Sequence, residues 1–202
     1  MEIEYKWKLP EGTSQARLLQ MVDKEEQLSQ VNKLHMHAIY YDTPDGAVAR
    51  LHGGLRLRRE NEKSVCCLKL AAIGADGCKT REEYEVEAQT IEEGLAKLPL
   101  AGAPHDICEE LVSGQPVPEC ETEFDRLAYT LCAGADDDAF QAELAIDRGA
   151  LRRAEGEAPI SEVELEFKAG SQEAFHTFAA TYAKANKLEV EPLSKLARAM
   201  SL

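Results

Sequence analysis

The sequence lacks long apolar runs and has few basic residues. No apolar stretch approaches the ~20 residues of a membrane-spanning helix, and charges begin at Glu2, so we expect neither such a helix nor a signal peptide. Lys and Arg total 23 against 37 Asp and Glu, which gives a formal charge of -14 and a pI near 4.8. This balance disfavours general binding to nucleic acid or to anionic membranes. We therefore expect a soluble cytoplasmic protein that binds neither.

The sequence also lacks a C-x-x-C pair, the spacing typical of redox and zinc motifs, although it has six cysteines. Cys66 and Cys67 are adjacent, so in a strand their side chains point to opposite faces. Disulfides are characteristic of exported chains, and no export signal is present. We therefore expect reduced thiols with structural roles.

The chain opens with an alternating pattern that returns along its length. In residues 2–9, EIEYKWKL, charged side chains alternate with apolar ones, which is typical of a strand with two unlike faces. The same plan recurs in GLRLR, LKL, CKTREEYEVEA, FDRLAYTL, FQAELAID and EVELEFK. With helical patterns between them, these segments predict about seven or eight mostly successive strands. The fold class that follows is α+β, an antiparallel sheet or barrel with helices outside it.

Alternation does not decide whether the charged faces point to solvent or line a site, since a sheet with one solvated face also alternates. Two features favour a lining. Helices predicted at 14–31, 90–100, 105–112 and 172–188 could cover the apolar faces from outside a curved sheet. The polar faces are rich in ionised groups and poor in the Thr and Ser that solvated strand faces favour.

A family resemblance is carried by motifs spread over nearly the whole chain. The E-x-E-x-K of residues 2–6 is followed, in order, by YYDTPD at 40–45, GLRLR at 54–58, EVELEF at 162–167 and LSKLAR at 193–198. Together with the strands of Lys69 and of Lys79 and Arg81, they resemble the CYTH superfamily, the triphosphate tunnel metalloenzymes. The chain is most similar to bacterial inorganic triphosphatases. The resemblance implies one stand-alone catalytic domain, residues 1–202, built as an eight-stranded antiparallel barrel with its charged faces inside.

The resemblance also implies the chemistry of the lining. Mg²⁺ or Mn²⁺ prefers carboxylate oxygens, and a triphosphate needs several cations. The implied metal site comprises Glu2, Glu4, Glu162 and Glu164, with Glu143 and Asp147 in contact with these ligands or with metal-bound water. The implied triphosphate site comprises Lys6, Arg56, Arg58, Lys69, Arg126 and Lys195. Lys79 and Arg81 would hold the end of the phosphate chain or stabilise the leaving group, so that with Lys6 they form the catalytic cations.

The expected activity is metal-dependent hydrolysis of inorganic triphosphate to pyrophosphate and phosphate. Alternatives within the same fold are a nucleoside or thiamine triphosphatase and an adenylate cyclase. A different class is a non-catalytic polyphosphate- or organophosphate-binding module. Carboxylates such as Glu4 and Glu164 argue against that module, because an anion binder gains nothing from carboxylates facing the anion. The sequence leaves open whether the protein is a monomer or a homodimer.

Overall fold

One antiparallel sheet runs through the protein. The structure is a computed structural model that describes residues 3–10, 12–20, 22, 28–73 and 79–202. Within these ranges the strands are β1 (Glu4–Lys8), β2 (Leu28–Asp42), β3 (Gly54–Glu60), β4 (Lys63–Ile73), β5 (Lys79–Glu87), β6 (Val117–Ala133), β7 (Phe140–Arg153), β8 (Gly156–Gly170) and β9 (Glu189–Val190). The helices are α1 (Gln15–Leu19), α2 (Ala47–Arg50), α3 (Ile91–Lys97), α4 (His105–Ser113), α5 (Gln172–Asn186) and α6 (Lys195–Met200). None of these helices is long and apolar enough to cross a membrane.

The sheet is open, with strand order β5-β4-β3-β2-β6-β7-β8-β1-β9. The α+β class is confirmed, but the expectation of a closed eight-stranded barrel is wrong for this structure. The described residues form nine strands, and no ladder joins the edge strands β5 and β9. The short β9 pairs with Trp7 and Lys8, so part of the outer edge of β1 is already hydrogen-bonded and unavailable for a ladder with β5.

Two predicted boundaries differ from the structure. The helix predicted at 14–31 ends at Leu19, and by Leu28 the chain is a strand. Pairing with β6, for example Val31 opposite Tyr129, holds this segment extended despite its helix-like spacing. The β7–β8 hairpin is longer than predicted, because Arg152 and Glu157 pair across it, with Arg152 Nε 2.8 Å from Glu157 Oε2.

Apolar clusters lie between the sheet and the helices, as the alternation predicts. Phe175 and Tyr182 of α5 pack with Leu144 and Leu165 of the sheet. Leu95 of α3 belongs to a second cluster, which covers the apolar face of β3 and β4. Burying a side chain of this size stabilises the fold by roughly 1.5–3 kcal/mol, so these helices hold the sheet from its apolar face and leave the charged face free for other contacts.

The adjacent cysteines lie on opposite faces, as predicted. Cys66 is buried in the cluster under α3, whereas the thiol of Cys67 donates a hydrogen bond to Glu83 on the charged face. The described cysteines are all free thiols, and Cys78 lies outside the described residues.

Gly94 gives a test of the packing of α3. A Cβ at this position would overlap Cys66 Cβ and Sγ on β4. Gly to Ala inside a solvated helix normally stabilises by about 1 kcal/mol, but overpacking a core costs roughly 1–3 kcal/mol. We therefore expect Gly94→Ala to lower the free energy of unfolding, measured by urea denaturation. Ala96→Ser, at an exposed position of the same helix, should stay near wild type; an unchanged or more stable Gly94→Ala would contradict the packing.

Candidate functional site

The strand register brings charged residues from four strands onto one face of the sheet. Lys6 of β1 lies opposite Glu164 of β8. Glu162, two residues earlier on β8, lies opposite Asp147 of β7. Asp147 in turn lies opposite Arg126 of β6. Because alternate residues of a strand share a face, these positions form one charged patch across the sheet.

Three carboxylates meet in this patch, and we call Asp147, Glu162 and Glu164 the acidic cluster. Each offers an oxygen within 4.8 Å of the others. Asp147 and Glu162 are fully buried, and the side chain of Glu164 is 12% exposed. Carboxylates that lie this close together and are buried from solvent repel one another strongly, so the cluster depends on neighbouring cations.

Lys195 supplies the central counter-charge. Its ammonium lies 2.8 Å from Asp147 Oδ2 and 2.8 Å from Glu164 Oε1, and it also contacts Glu162. The same nitrogen lies 4.9 Å from the ring centre of Phe124, close enough for a cation–π contact. One ammonium therefore bridges all three carboxylates.

Two arginines complete the neutralisation of the acidic cluster. Arg126 donates from Nε and Nη2 to the two oxygens of Asp147 at 2.8 and 2.7 Å, and it contacts Glu164. Arg198 contacts Glu162. A two-bond arginine–carboxylate pair is directional as well as strong, so Arg126 fixes the orientation of Asp147.

The helix α6 delivers two of these cations. Ser194 caps its start, accepting a hydrogen bond from Ala197 N at 3.0 Å. Leu196 and Ala199 pack with an apolar cluster at one end of the charged face. Lys195 and Arg198 are three residues apart, which places them on one side of the helix. The helix lies across β6, β7 and β8, so both cations reach the acidic cluster.

Burial and these cations perturb the ionisation of the cluster. Burial by itself would raise the pKa of Glu164, but Lys195 and Arg126 outweigh it and hold that pKa well below its ordinary value. For Glu162 burial prevails over Lys195, and with the repulsion of Glu164 it raises the pKa of this carboxyl. The carboxylates overcome the burial of Lys195 and raise its pKa, so the ammonium stays charged.

A second group lies on β3 and β4, and we call Arg56, Arg58 and Lys69 the basic cluster. Each is next to a carboxylate of β5. Lys69 Nζ lies 2.9 Å from Glu83 Oε2, and Arg56 Nη2 lies 3.6 Å from Glu83 Oε1. Arg58 Nη2 lies 3.3 Å from Glu85 Oε1. The side chains of Arg56 and Arg58 are less than one-fifth exposed.

The YYDTPD segment comprises the end of β2 and the turn that follows it. Asp42 accepts hydrogen bonds from Thr43 N at 2.7 Å and Val48 N at 2.8 Å, and the Thr43 hydroxyl donates to Asp45 at 2.6 Å. These bonds hold the connection from β2 into α2. Tyr40, opposite Arg56 in the ladder, is buried on the charged face.

The structure places most of the predicted site residues in or beside these two clusters. Glu143 lies beside the acidic cluster, with Oε1 3.8 Å from Arg126 Nη1. Glu4 lies opposite Glu166 at the exposed end of β1. Arg126, predicted to bind the triphosphate, lies among the carboxylates in this structure.

The structure does not describe the side chains of three predicted site residues. Glu2 lies outside the described residues, and for Lys79 and Arg81 only the backbone, on β5, is described.

Sequence reasoning missed several neighbours of the site. Arg198 could have been found, because it follows Lys195 by about one helical turn within the motif LSKLAR. The pairing of Glu83 with the basic cluster depends on the β4–β5 register, which puts Glu83 opposite Lys69. Nothing in the local pattern indicates that Phe124 lies beneath the Lys195 ammonium.

Comparison with known proteins decides the family. A profile of the CYTH domain matches residues 1–200. The chain belongs to the CYTH domain family. An inorganic triphosphatase from Haemophilus influenzae is 30% identical over 147 residues, which are 70% of this chain and 38% of that protein. The match thus covers well under half the length of this CYTH relative.

Solved structures agree on the fold. A protein from Hippeastrum, described as a putative adenylyl cyclase with a dominant triphosphatase activity, matches with a TM-score of 0.64 at 20% identity, covering 100% of this chain and 96% of its own. A protein from Pyrococcus horikoshii matches with a TM-score of 0.55 at 18% identity, covering 100% and 99%. A putative adenylate cyclase from Vibrio parahaemolyticus gives 0.54 at 14%, covering 100% and 98%. At these identities the likeness is one of fold.

Lys195→Met tests the role of the ammonium. The substitution keeps the length of the side chain but leaves buried carboxylates without their shared counter-ion, which costs about 3–5 kcal/mol of unfolding free energy. The pKa values of the cluster should then rise, so the folded state would bind protons that the unfolded state does not. Its stability should increase as the pH falls from 8 to 5 by more than that of wild type, in which the raised pKa of Glu162 gives only part of this effect.

Chemical denaturation at a series of pH values measures this effect. Lys184→Met, at an exposed position of α5, is the matched control and should change little. Equal stability of Lys195→Met and wild type at pH 8 would show that the ammonium does not hold the cluster.

Proposed function

We propose that the protein hydrolyses inorganic triphosphate to pyrophosphate and phosphate, with Mg²⁺ or Mn²⁺ as cofactor. The observation that carries the proposal is that the acidic cluster and the basic cluster lie on the same face of the sheet in a CYTH domain. The partial match to an inorganic triphosphatase supports the choice of substrate. We also propose that residues 1–202 act as one domain, since a single sheet joins both clusters.

The acidic cluster suits a hard divalent ion. Asp147, Glu162 and Glu164 offer only oxygen, the donor that Mg²⁺ and Mn²⁺ prefer. They are the residues we propose as ligands, with Glu4 and Glu143 contributing from the neighbouring strands and Glu2 from the sequence that precedes β1. When bound, such an ion lowers the pKa of a coordinated water and neutralises charge on a phosphate oxygen.

Charge balance predicts that cation and substrate bind together. Lys195, Arg126 and Arg198 already neutralise the three carboxylates. A divalent ion added to this balanced group would leave an excess of buried positive charge. A triphosphate brings several negative charges, so its arrival removes the excess, and Mg²⁺ is commonly held by one or two carboxylates plus substrate phosphates.

The cations of the chain would bind the rest of the substrate. Arg56, Arg58 and Lys69 can neutralise the phosphate groups farther from the acidic cluster, and arginine forks fit phosphate oxygens well. We propose that Lys6, Arg126 and Lys195 contact the phosphate nearest the carboxylates. Lys79 and Arg81 are proposed to stabilise the leaving group, since β5 carries them just before Glu83.

A phosphate-release assay tests the activity directly. With Mg²⁺ or Mn²⁺ we expect turnover of triphosphate to pyrophosphate and phosphate, and loss of turnover with chelator. ATP, thiamine triphosphate and longer polyphosphate should be poorer substrates. No release from any of them would refute the hydrolase proposal, and cyclic AMP formed from ATP would replace it with a cyclase.

Glu164→Gln tests the role of the acidic cluster. The substitution keeps shape but removes one negative oxygen donor, so we expect the rate of triphosphate hydrolysis to fall at least about 100-fold. Titration with Mn²⁺ in the presence of triphosphate should show weaker Mn²⁺ binding as well. Glu157→Gln, on the same strand but 63% exposed, should retain both properties. Full activity and Mn²⁺ affinity in Glu164→Gln would remove the cluster from the proposed site.

A further inference from the structure

Glu83 occupies the centre of the basic cluster. Its carboxylate lies 2.9 Å from Lys69 Nζ and 3.6 Å from Arg56 Nη2, and it accepts a hydrogen bond from Cys67 Sγ at 3.1 Å. The side chain is only 26% exposed. Burial opposes its ionisation, but Lys69 outweighs burial and lowers the pKa of Glu83 to about 2, so the carboxylate is charged at neutral pH.

Three cations surround the carboxylate of Glu83, as they would an anion bound at the same place. Arg56, Arg58 and Lys69 lie around Glu83 and Glu85. Burial raises the pKa of the Cys67 thiol to about 12, so the sulfur is protonated and donates its hydrogen bond to Glu83. A carboxylate among these donors contacts the same groups that would contact a phosphate oxygen.

The donors of this site are incompletely used by the carboxylates. The Nε atoms of Arg56 and Arg58 are buried and have no hydrogen-bond partner among the described residues. A buried donor without a partner destabilises the protein, and a better-fitting anion would remove that cost. A phosphate group offers more acceptor oxygens than one carboxylate, so it can satisfy donors that Glu83 leaves unpaired.

We propose that Glu83 is an internal competitor for the phosphate-binding site and lowers its affinity for anions. Every anion that binds there must displace this carboxylate from Lys69 and Arg56, so each affinity falls by the fraction of molecules in which the carboxylate is displaced. Phosphate and pyrophosphate make fewer contacts than triphosphate and bind more weakly from the start. The consequence is that the two products of the proposed reaction are held only weakly and leave the site readily. The identification of these anions as products rests on the proposed function.

Glu83→Gln tests the competition without relying on turnover. Calorimetric titration with pyrophosphate, in chelator so that no divalent ion contributes, should show at least tenfold tighter binding to Glu83→Gln than to wild type. Inorganic phosphate should gain in the same direction, and the affinity for triphosphate should rise by a similar factor. Equal or weaker pyrophosphate binding by the folded variant would overturn the proposal.

Glu82→Gln is the matched control. Glu82 precedes Glu83 on β5, is exposed and accepts a hydrogen bond from Tyr84 on the other face at 2.6 Å. Its substitution makes the same change in net charge, but on the opposite face of the strand. It should therefore leave pyrophosphate affinity unchanged. A gain equal to that of Glu83→Gln would show a general charge effect and overturn the proposal.

A second variant, Glu85→Gln, tests the proposal if Glu83→Gln does not fold. Glu85 lies 3.7 Å from Arg56 and 3.3 Å from Arg58, so Glu85→Gln should give a smaller gain in pyrophosphate affinity, about threefold. No gain would then overturn the proposal.

The outcome of these titrations can be distinguished from that of the test of the proposed function. A protein that does not hydrolyse triphosphate can still show the gain in Glu83→Gln, and an active triphosphatase can lack it.

Discussion

The contact on which the charged site depends is that of the Lys195 ammonium with three buried carboxylates. Without a cation between them, Asp147, Glu162 and Glu164 could not all remain ionised and buried. The contact also ties α6 to the charged face of the sheet, because the helix carries both Lys195 and Arg198. The same ion pairs therefore neutralise the carboxylates and hold α6 against the sheet of this CYTH domain.

The strand register separates the two kinds of charge on the same face. Carboxylates concentrate on β7 and β8, while guanidinium and ammonium groups concentrate on β3 and β4. Each cluster is neutralised by neighbouring side chains of the protein. Lys195, Arg126 and Arg198 neutralise the acidic cluster, and Glu83 and Glu85 neutralise the basic cluster. A ligand carrying both a divalent cation and phosphates can replace these internal pairs together, so the arrangement favours such a ligand over a free ion or a small anion.

Much of this could be predicted from the sequence, because a two-residue period assigns side chains to faces whatever the curvature of the sheet. The strands of Arg56, Asp147 and Glu164 and their shared charged face follow from that period, and the family motifs add Lys195. Whether the sheet closes into a barrel could not be predicted from this period. The pairing that leaves it open involves β9, which is only two residues long and whose contact with β1 depends on the tertiary fold. The contacts of Glu83 also depend on register, which local pattern leaves open.

The most direct test of the two-cluster site is a crystal structure with Mn²⁺ and a non-hydrolysable imido analogue of triphosphate. The account predicts an anomalous Mn²⁺ peak at Asp147, Glu162 and Glu164, with the Lys195 ammonium moved from the carboxylates to the analogue. It also predicts phosphate density against Arg56 and Lys69 in place of the Glu83 carboxylate. Mn²⁺ bound away from the acidic cluster, with Lys195 still bridging the three carboxylates, would contradict it.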